Sequence, residues 1–255
     1  MRCARQVFPM PKARRKILLF LVEGPSDADA LGLGLSRLFA DDDVELCVTD
    51  GDVTTRTGSR PDNIKAKIGD YVRNFAGHTY RQSDFLKVVH LLDTDGAYVS
   101  KERIVKMDDE GRKAAQAHGG KHNAIYLPGS IQARNISQIL DRNMRKRAVL
   151  EVLRTTRRVW RTVPYEAYYF SCNLDHVLYG DPNFTPDQKC TAAATFSERC
   201  AENVGTFRDF FLAPEIAVPG DYVSSWKYIA QGTRSLERRT NFGLFLQEAG
   251  KALAQ

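Results

Sequence analysis

The chain of 255 residues has no C-x-x-C pair, and its cysteines, Cys3, Cys47, Cys172, Cys190 and Cys200, are odd in number and scattered. No histidines stand near them at zinc spacing, so neither a zinc module nor a secreted disulfide framework is expected, and the thiols should be free, as in the cytoplasm. No apolar run approaches the ~20 residues of a membrane span. The N-terminal "MRCARQVFPMPKARRKILLFLV" puts basic residues ahead of an apolar run, as a secretion signal does. Yet that run passes straight into Glu23-Gly24 with no small-residue cleavage site, and so reads as a strand. Internal repeats and low-complexity tracts are also missing.

What is present is enough apolar residue, 43% against 27% charged, to bury one α/β core with material left for a helical appendage. The net charge of +6 is compatible with an anionic partner but does not require one.

"KILLFLVEGPSDADAL" opens the ordered pattern. A short apolar run bounded by a charge and Gly-Pro fits a strand buried on both faces of a parallel sheet. The following "PSDADALGLGLSRLF" reads as a helix with Ser26 as N-cap and Asp27 and Asp29 in its first turn. "VELCVTDGD" is a second strand, "PDNIKAKIGDYVRNF" a second helix, and "FLKVVHLLDTDGAYV" a third buried strand ending in Asp93-Thr94-Asp95-Gly96. The order β-α-β-α-β predicts parallel neighbours. His90, inside the third strand, reads as a core residue.

Beyond these, "NAIYLPGS" is a candidate fourth strand and "YEAYYFS" a fifth, with a long basic helix at about 135–161 between them. From about residue 181 onward the pattern gives three or four helices. The expected organisation is an α/β domain over 15–180, including the basic helix as an insertion, and a helical C-terminal layer over 181–255.

Ligands of open α/β sheets bind at the carboxyl ends of the strands, which is where Glu23, Asp93 and Asp95 stand. Two residues apart in extended chain, Asp93 and Asp95 should leave the same face and repel one another unless a cation sits between them. Three acids at one edge suit a hard ion such as Mg²⁺, or Mn²⁺ in its place. Arg147, Arg154, Arg158 and Arg161 recur at helical spacing and would make one basic stripe for a nucleic-acid backbone, although solvated arginine faces are as common. "SCNLDHVLYG" places Asn173, Asp175 and His176 just past the last strand, where they either face the cleft or merely begin a helix.

Apolar strand, Glu23-Gly24, Ser26-Asp27, a second strand closing on Thr49-Asp50-Gly51, and a third ending in Asp93-Thr94-Asp95-Gly96 together resemble the TOPRIM domain. That domain is shared by topoisomerases, bacterial primases, small ribosomal-RNA maturases and the overcoming-lysogenization-defect nucleases. The resemblance covers roughly residues 16 to 130. It implies a parallel sheet sandwiched by helices, Glu23 as general acid or base or metal ligand, and Asp93 and Asp95 as Mg²⁺ ligands. The turn after the second strand is more acidic than the family's, so Asp50 or Asp52 is a candidate for a second metal position. No tyrosine can be assigned a topoisomerase role, and neither strand-passage domains nor a primase's zinc module is present.

The implied activity is that of a metal-dependent nuclease on DNA or RNA, in an antiphage defence setting, with an ATPase as a candidate partner. Two rivals stand beside it. Haloacid dehalogenase-like phosphatases also read D-x-D-G, with the first aspartate, here Asp93, as nucleophile, but in them the motif ends the first strand. The other rival is a TOPRIM fold kept as a binding module without chemistry.

Overall fold

The computed structural model describes residues 16–39, 43–49, 52–117 and 123–252. Strand β1, Ile17–Val22, is buried at every position, and its alternate side chains serve two cores. Ile17, Leu19 and Leu21 enter one, Leu18, Phe20 and Val22 the other, as the two-residue period of a strand requires. At about 1.5–3 kcal/mol for each large apolar side chain removed from water, this strand is a main source of the cohesion of both layers.

Helix α1, Pro25–Leu38, follows at once. It is capped by Gly24 and not by Ser26: Pro25 takes the first helical position, and the Asp27 carboxylate reaches back 3.0 Å to the Gly24 amide. Proline lacks the N–H that this position could not use, which moves the helix start ahead of the serine. Strand β2, Asp43–Val48, and helix α2, Ile64–Ala76, come next, then β3, Phe85–Asp93.

Here the chain leaves the main sheet. Strands β4, Ile104–Lys106, β5, Ala124–Leu127, and β6, Ser130–Ala133, form a separate three-stranded sheet in the order β4-β6-β5, with helix α3, Asp109–Ala117, among them. "NAIYLPGS" is therefore a hairpin of this small sheet, turning at Gly129, and not a fourth strand of the main one. Helix α4, Ile136–Thr155, is capped by Asn135, whose side chain accepts from the Gln138 amide.

Strands β7, Arg158–Val159, and β8, Val163–Phe170, complete the main sheet, whose order is β2-β1-β3-β8-β7. Its first four strands are mutually parallel and β7 is an antiparallel edge, so the class is mixed α/β with a largely parallel main sheet. Helices α5, Leu174–Tyr179, α6, Pro186–Glu202, α7, Val204–Leu212, α8, Tyr222–Ile229, and α9, Phe242–Ala252, follow.

Helices α2, α4 and α8 cover one face of the sheet. The other face carries α1, α5, α6, α7 and α9, which share a single core with β1, β3 and β8 through Phe196, Phe207, Phe211, Phe242 and Phe245. Residues 234–241 are not helical beyond one short turn at Arg234–Leu236. They run as a strap along the end of β8, where Asn241 accepts from the Tyr169 amide and the Arg239 carbonyl from the Ser171 amide.

None of Cys47, Cys172, Cys190 and Cys200 is in a disulfide, and Cys3 lies outside the described residues. No described helix is long and apolar enough to cross a membrane.

Candidate active site: an acidic edge with a buried lysine

The pairing of β1 with β3, and of β3 with β8, brings three strand ends together. Glu23 leaves the end of β1 and its Oε1 accepts from the Asp93 amide at 3.3 Å. Asp93 closes β3, and its Oδ1 accepts from the Leu174 amide at 3.1 Å, at the start of α5. Asp52, beyond β2, and Asp95, beyond β3, meet on one ammonium: Lys146 Nζ lies 2.7 Å from Asp52 and 2.6 Å from Asp95. Asp50 lies outside the described residues.

Asp93 and Asp95 do not leave one pleated face. The strand stops at Asp93, and Asp95 takes a left-handed backbone, φ 48°, which aspartate tolerates better than most residues. The turn is held by the ladder continuing past both strand ends, Thr94 amide to Phe170 carbonyl at 3.0 Å and Asp95 amide to Cys172 carbonyl at 2.8 Å. It aims the Asp95 carboxylate at Lys146 and at the Tyr126 hydroxyl, 3.2 Å away. Arg142 then donates to Tyr126 and to the Asp95 carbonyl.

The charges are unevenly compensated. Burial, then the Asp52 and Asp93 charges, pushes the Glu23 carboxyl well above the usual carboxylate range. Burial, then Asp27 and Asp95, does the same to Asp93. Burial also raises Asp52, but the Lys146 charge and hydrogen bonds from Lys146, Thr54 and Thr55 outweigh it and hold that carboxyl down at about 2. Lys146 is fully buried, which disfavours its charge; Asp52, Asp95 and Glu23 reverse this and keep it protonated.

A second pair stands behind the first. Lys189 of α6 lies 2.6 Å from the buried Asp175 of α5. Nearby Asp27 is pushed up to about 6 by its burial, against the pull of the Gly24 amide and Lys189. Asn173 caps α5 by accepting from the His176 amide, while Leu174, Val177 and Leu178 enter the core. His176 faces Arg238 and Asp181 instead of the acids; burial, then Arg238, lowers it. The Cys172 thiol, though beside the acids, is kept protonated by burial and by Asp95 and Asp93.

Among the described residues no three His, Cys, Asp or Glu side chains converge closely enough to hold a metal ion by themselves. Glu23 and Asp93 fit such an ion in charge and donor type, being half-buried carboxylates with no lysine or arginine within salt-bridge distance among the described residues, and Mg²⁺ accepts few protein ligands because it keeps its waters. The Asp95 carboxylate is committed to Lys146.

The four arginines do not form one helical stripe. Helix α4 ends at Thr155, where the Thr155 and Thr156 hydroxyls bond back to the Val152 carbonyl, so Arg158 falls in β7 and Arg161, φ 67°, in the hairpin turn. Runs of threonine compete with helix in this way. Arg147 donates to the Ala97 carbonyl at 2.9 Å and lies over the Tyr98 ring, and Arg154 pairs with Glu151. His90 is a core residue, bonded to Tyr165 Oη at 2.8 Å.

Lys146, Arg142, Tyr126 and Lys189 were not legible as site residues. Lys146 did carry a signal: it falls on the buried stripe Ile139, Asn143, Lys146, Leu150, Leu153, where a lysine needs an anionic partner. No family model, curated protein or solved structure matches the chain.

Proposed function

We propose that the chain is a divalent-metal-dependent phosphodiesterase acting on DNA or RNA, built on a TOPRIM-like domain. The observation that carries this reading is the pair of half-buried, raised carboxyls, Glu23 and Asp93, at adjacent carboxyl ends of parallel strands. Two such groups need either a proton or a cation between them. The adjacency of the glutamate strand and the D-x-D strand supports the family resemblance.

Glu23 and Asp93 would hold the ion, with Asp95 and Asp52 shaping the field around it. When bound, the ion polarises a scissile phosphate and stabilises charge on its oxygens. Where it does not ligate the ion, Glu23, its carboxyl raised by burial and the neighbouring acids, would exchange a proton with the attacking water or the leaving oxygen. Lys146 fixes Asp52 and Asp95 and offsets part of the negative charge of the edge that a phosphate must approach.

The test is cleavage of labelled single and double strands with Mg²⁺ or Mn²⁺, against chelator and against Asp93→Asn. The asparagine keeps an acceptor for the Leu174 amide, so the fold should survive while Mg²⁺ binding by calorimetry and cleavage fall by at least about a hundredfold, as for a transition-state electrostatic contact. Turnover of an aryl phosphate that survives Glu23→Gln would instead select the phosphatase reading, with Asp93 as nucleophile.

A further inference from the structure

A second feature borders the acidic edge without belonging to it. The loop from Asp52 to Ser59 is fixed at its inner end, where the Asp52 carboxylate accepts from the Thr54 amide at 2.8 Å, from the Thr54 and Thr55 hydroxyls and from Lys146. Its outer part and one face of α2 border an open surface cavity of about 240 Å³ lined by Val53, Arg56, Ser59, Lys67, Asp70 and Tyr71, among others. That is below the roughly 300–1,000 Å³ of sites for drug-sized ligands and fits a small group.

The chemistry of the wall is that of an anion site. Lys67 Nζ donates to Ser59 Oγ at 3.2 Å, and Arg56 Nη1 donates to Tyr71 Oη at 2.9 Å. Tyr71 Oη donates in turn to the Thr49 carbonyl, 3.0 Å away, which orients it. Among the described residues, neither Arg56 nor Lys67 has a carboxylate partner. The one carboxylate on the wall, Asp70, is paired with Arg73 at 2.8 Å. Two cations lining one cavity repel one another unless an anion lies between them.

We propose that this cavity is a phosphate subsite, in which Arg56 and Lys67 hold a phosphodiester group of the strand flanking the one at the acidic edge. The polymer part rests on the phosphodiesterase reading; the binding of phosphate does not. One loop serves both places, with Asp52 turned toward the acids and Arg56 into the cavity. The site holds a phosphate of the backbone without reading a base, so it contributes equally for every sequence.

The experiment compares the full chain with Arg56→Gln/Lys67→Met, first by calorimetry with inorganic phosphate at low salt. Wild type should bind, and the double variant should bind at least about tenfold more weakly, since each lost contact is charge-assisted. Equal binding by the two proteins, or none by the wild type, overturns the subsite. Fluorescence anisotropy with a labelled strand over a salt series is the second arm. There the slope of log affinity against log salt should fall by about one in the variant, the share of one phosphate. Lost phosphate binding with an unchanged slope and affinity overturns the polymer assignment. Failure of the phosphodiesterase reading shows separately, as a wild-type chain that leaves the strand uncut in Mg²⁺, and does not alter the phosphate result.

Discussion

Lys146 reaches from the middle of α4 to within 2.6 Å of the Asp95 carboxylate, with no part of its side chain exposed to solvent. The acidic edge thus contains its own counter-ion, shared with Asp52 and placed by a helix that starts more than forty residues after β3 ends.

Replacing that lysine by an apolar residue of similar length, Lys146→Met, leaves Asp52 and Asp95 without their cation. Breaking a buried pair in this way costs up to about 3–5 kcal/mol. If Glu23 and Asp93 hold a divalent ion, part of the loss should return when Mg²⁺ is added, because the ion restores positive charge to the same edge. Urea denaturation with and without Mg²⁺ is the measurement. The gain from Mg²⁺ should be larger in the variant than in the wild type, and an equal gain argues against an ion at this edge.

His90 makes stability depend on pH in a defined direction. Burial lowers its imidazole to about 3, only partly opposed by Asp52, so the folded protein holds it neutral while the unfolded chain binds a proton below about 6.5. Its contribution is fully present above that value. As pH falls through 6.5 toward 3 it is lost, at up to about 1.4 kcal/mol per unit. His90→Leu/Tyr165→Phe removes both the imidazole and the hydroxyl bonded to it, and should be less sensitive to acid between pH 6.5 and 4.5. Parallel denaturation midpoints for the two proteins over that range would contradict the assignment.

The packing of α1 on α7 depends on one missing methyl group. A β-carbon at Gly34 would lie 2.2 Å from the ring of Phe207, which is itself fully buried against Phe196 and Phe211. Gly34→Ala should therefore destabilise by about 1–3 kcal/mol, as overpacking does, although alanine is the better helix former. Thermal melts of Gly34→Ala and of Gly34→Ala/Phe207→Leu give the check: the smaller side chain should recover part of the loss.

The parallel core was legible because its strands are short, apolar and punctuated by acid and glycine. Ile17–Val22 and Phe85–Asp93 could hardly be anything else. The candidate acids could be found for the same reason, since they are the punctuation. Their orientation could not, because Asp95 owes its aim to backbone bonds with Cys172, far away in the chain. Lys146 was hidden among the many cations of "DRNMRKRAVLEVLRTTRR", where charge is common and only the helical phase separates the buried one from the rest. The small sheet escaped because strands of three or four residues carry almost no periodicity.

The strap at residues 234–241 has a consequence in time. Ser171 and Cys172 give their amide protons to the Arg239 and Ser235 carbonyls, and Thr240 Oγ1 bonds the Tyr169 carbonyl, so the end of β8 is completed by segments translated more than sixty residues after it. That strand end, through the Cys172 carbonyl, is what holds Asp95 in its turn. A ribosome-bound chain can form β1, β2 and β3 early, but it lacks the partner that fixes this turn until residue 240 has emerged. The order of synthesis thus puts the closing of the acidic edge near the end of folding, as expected where pairings are distant in sequence.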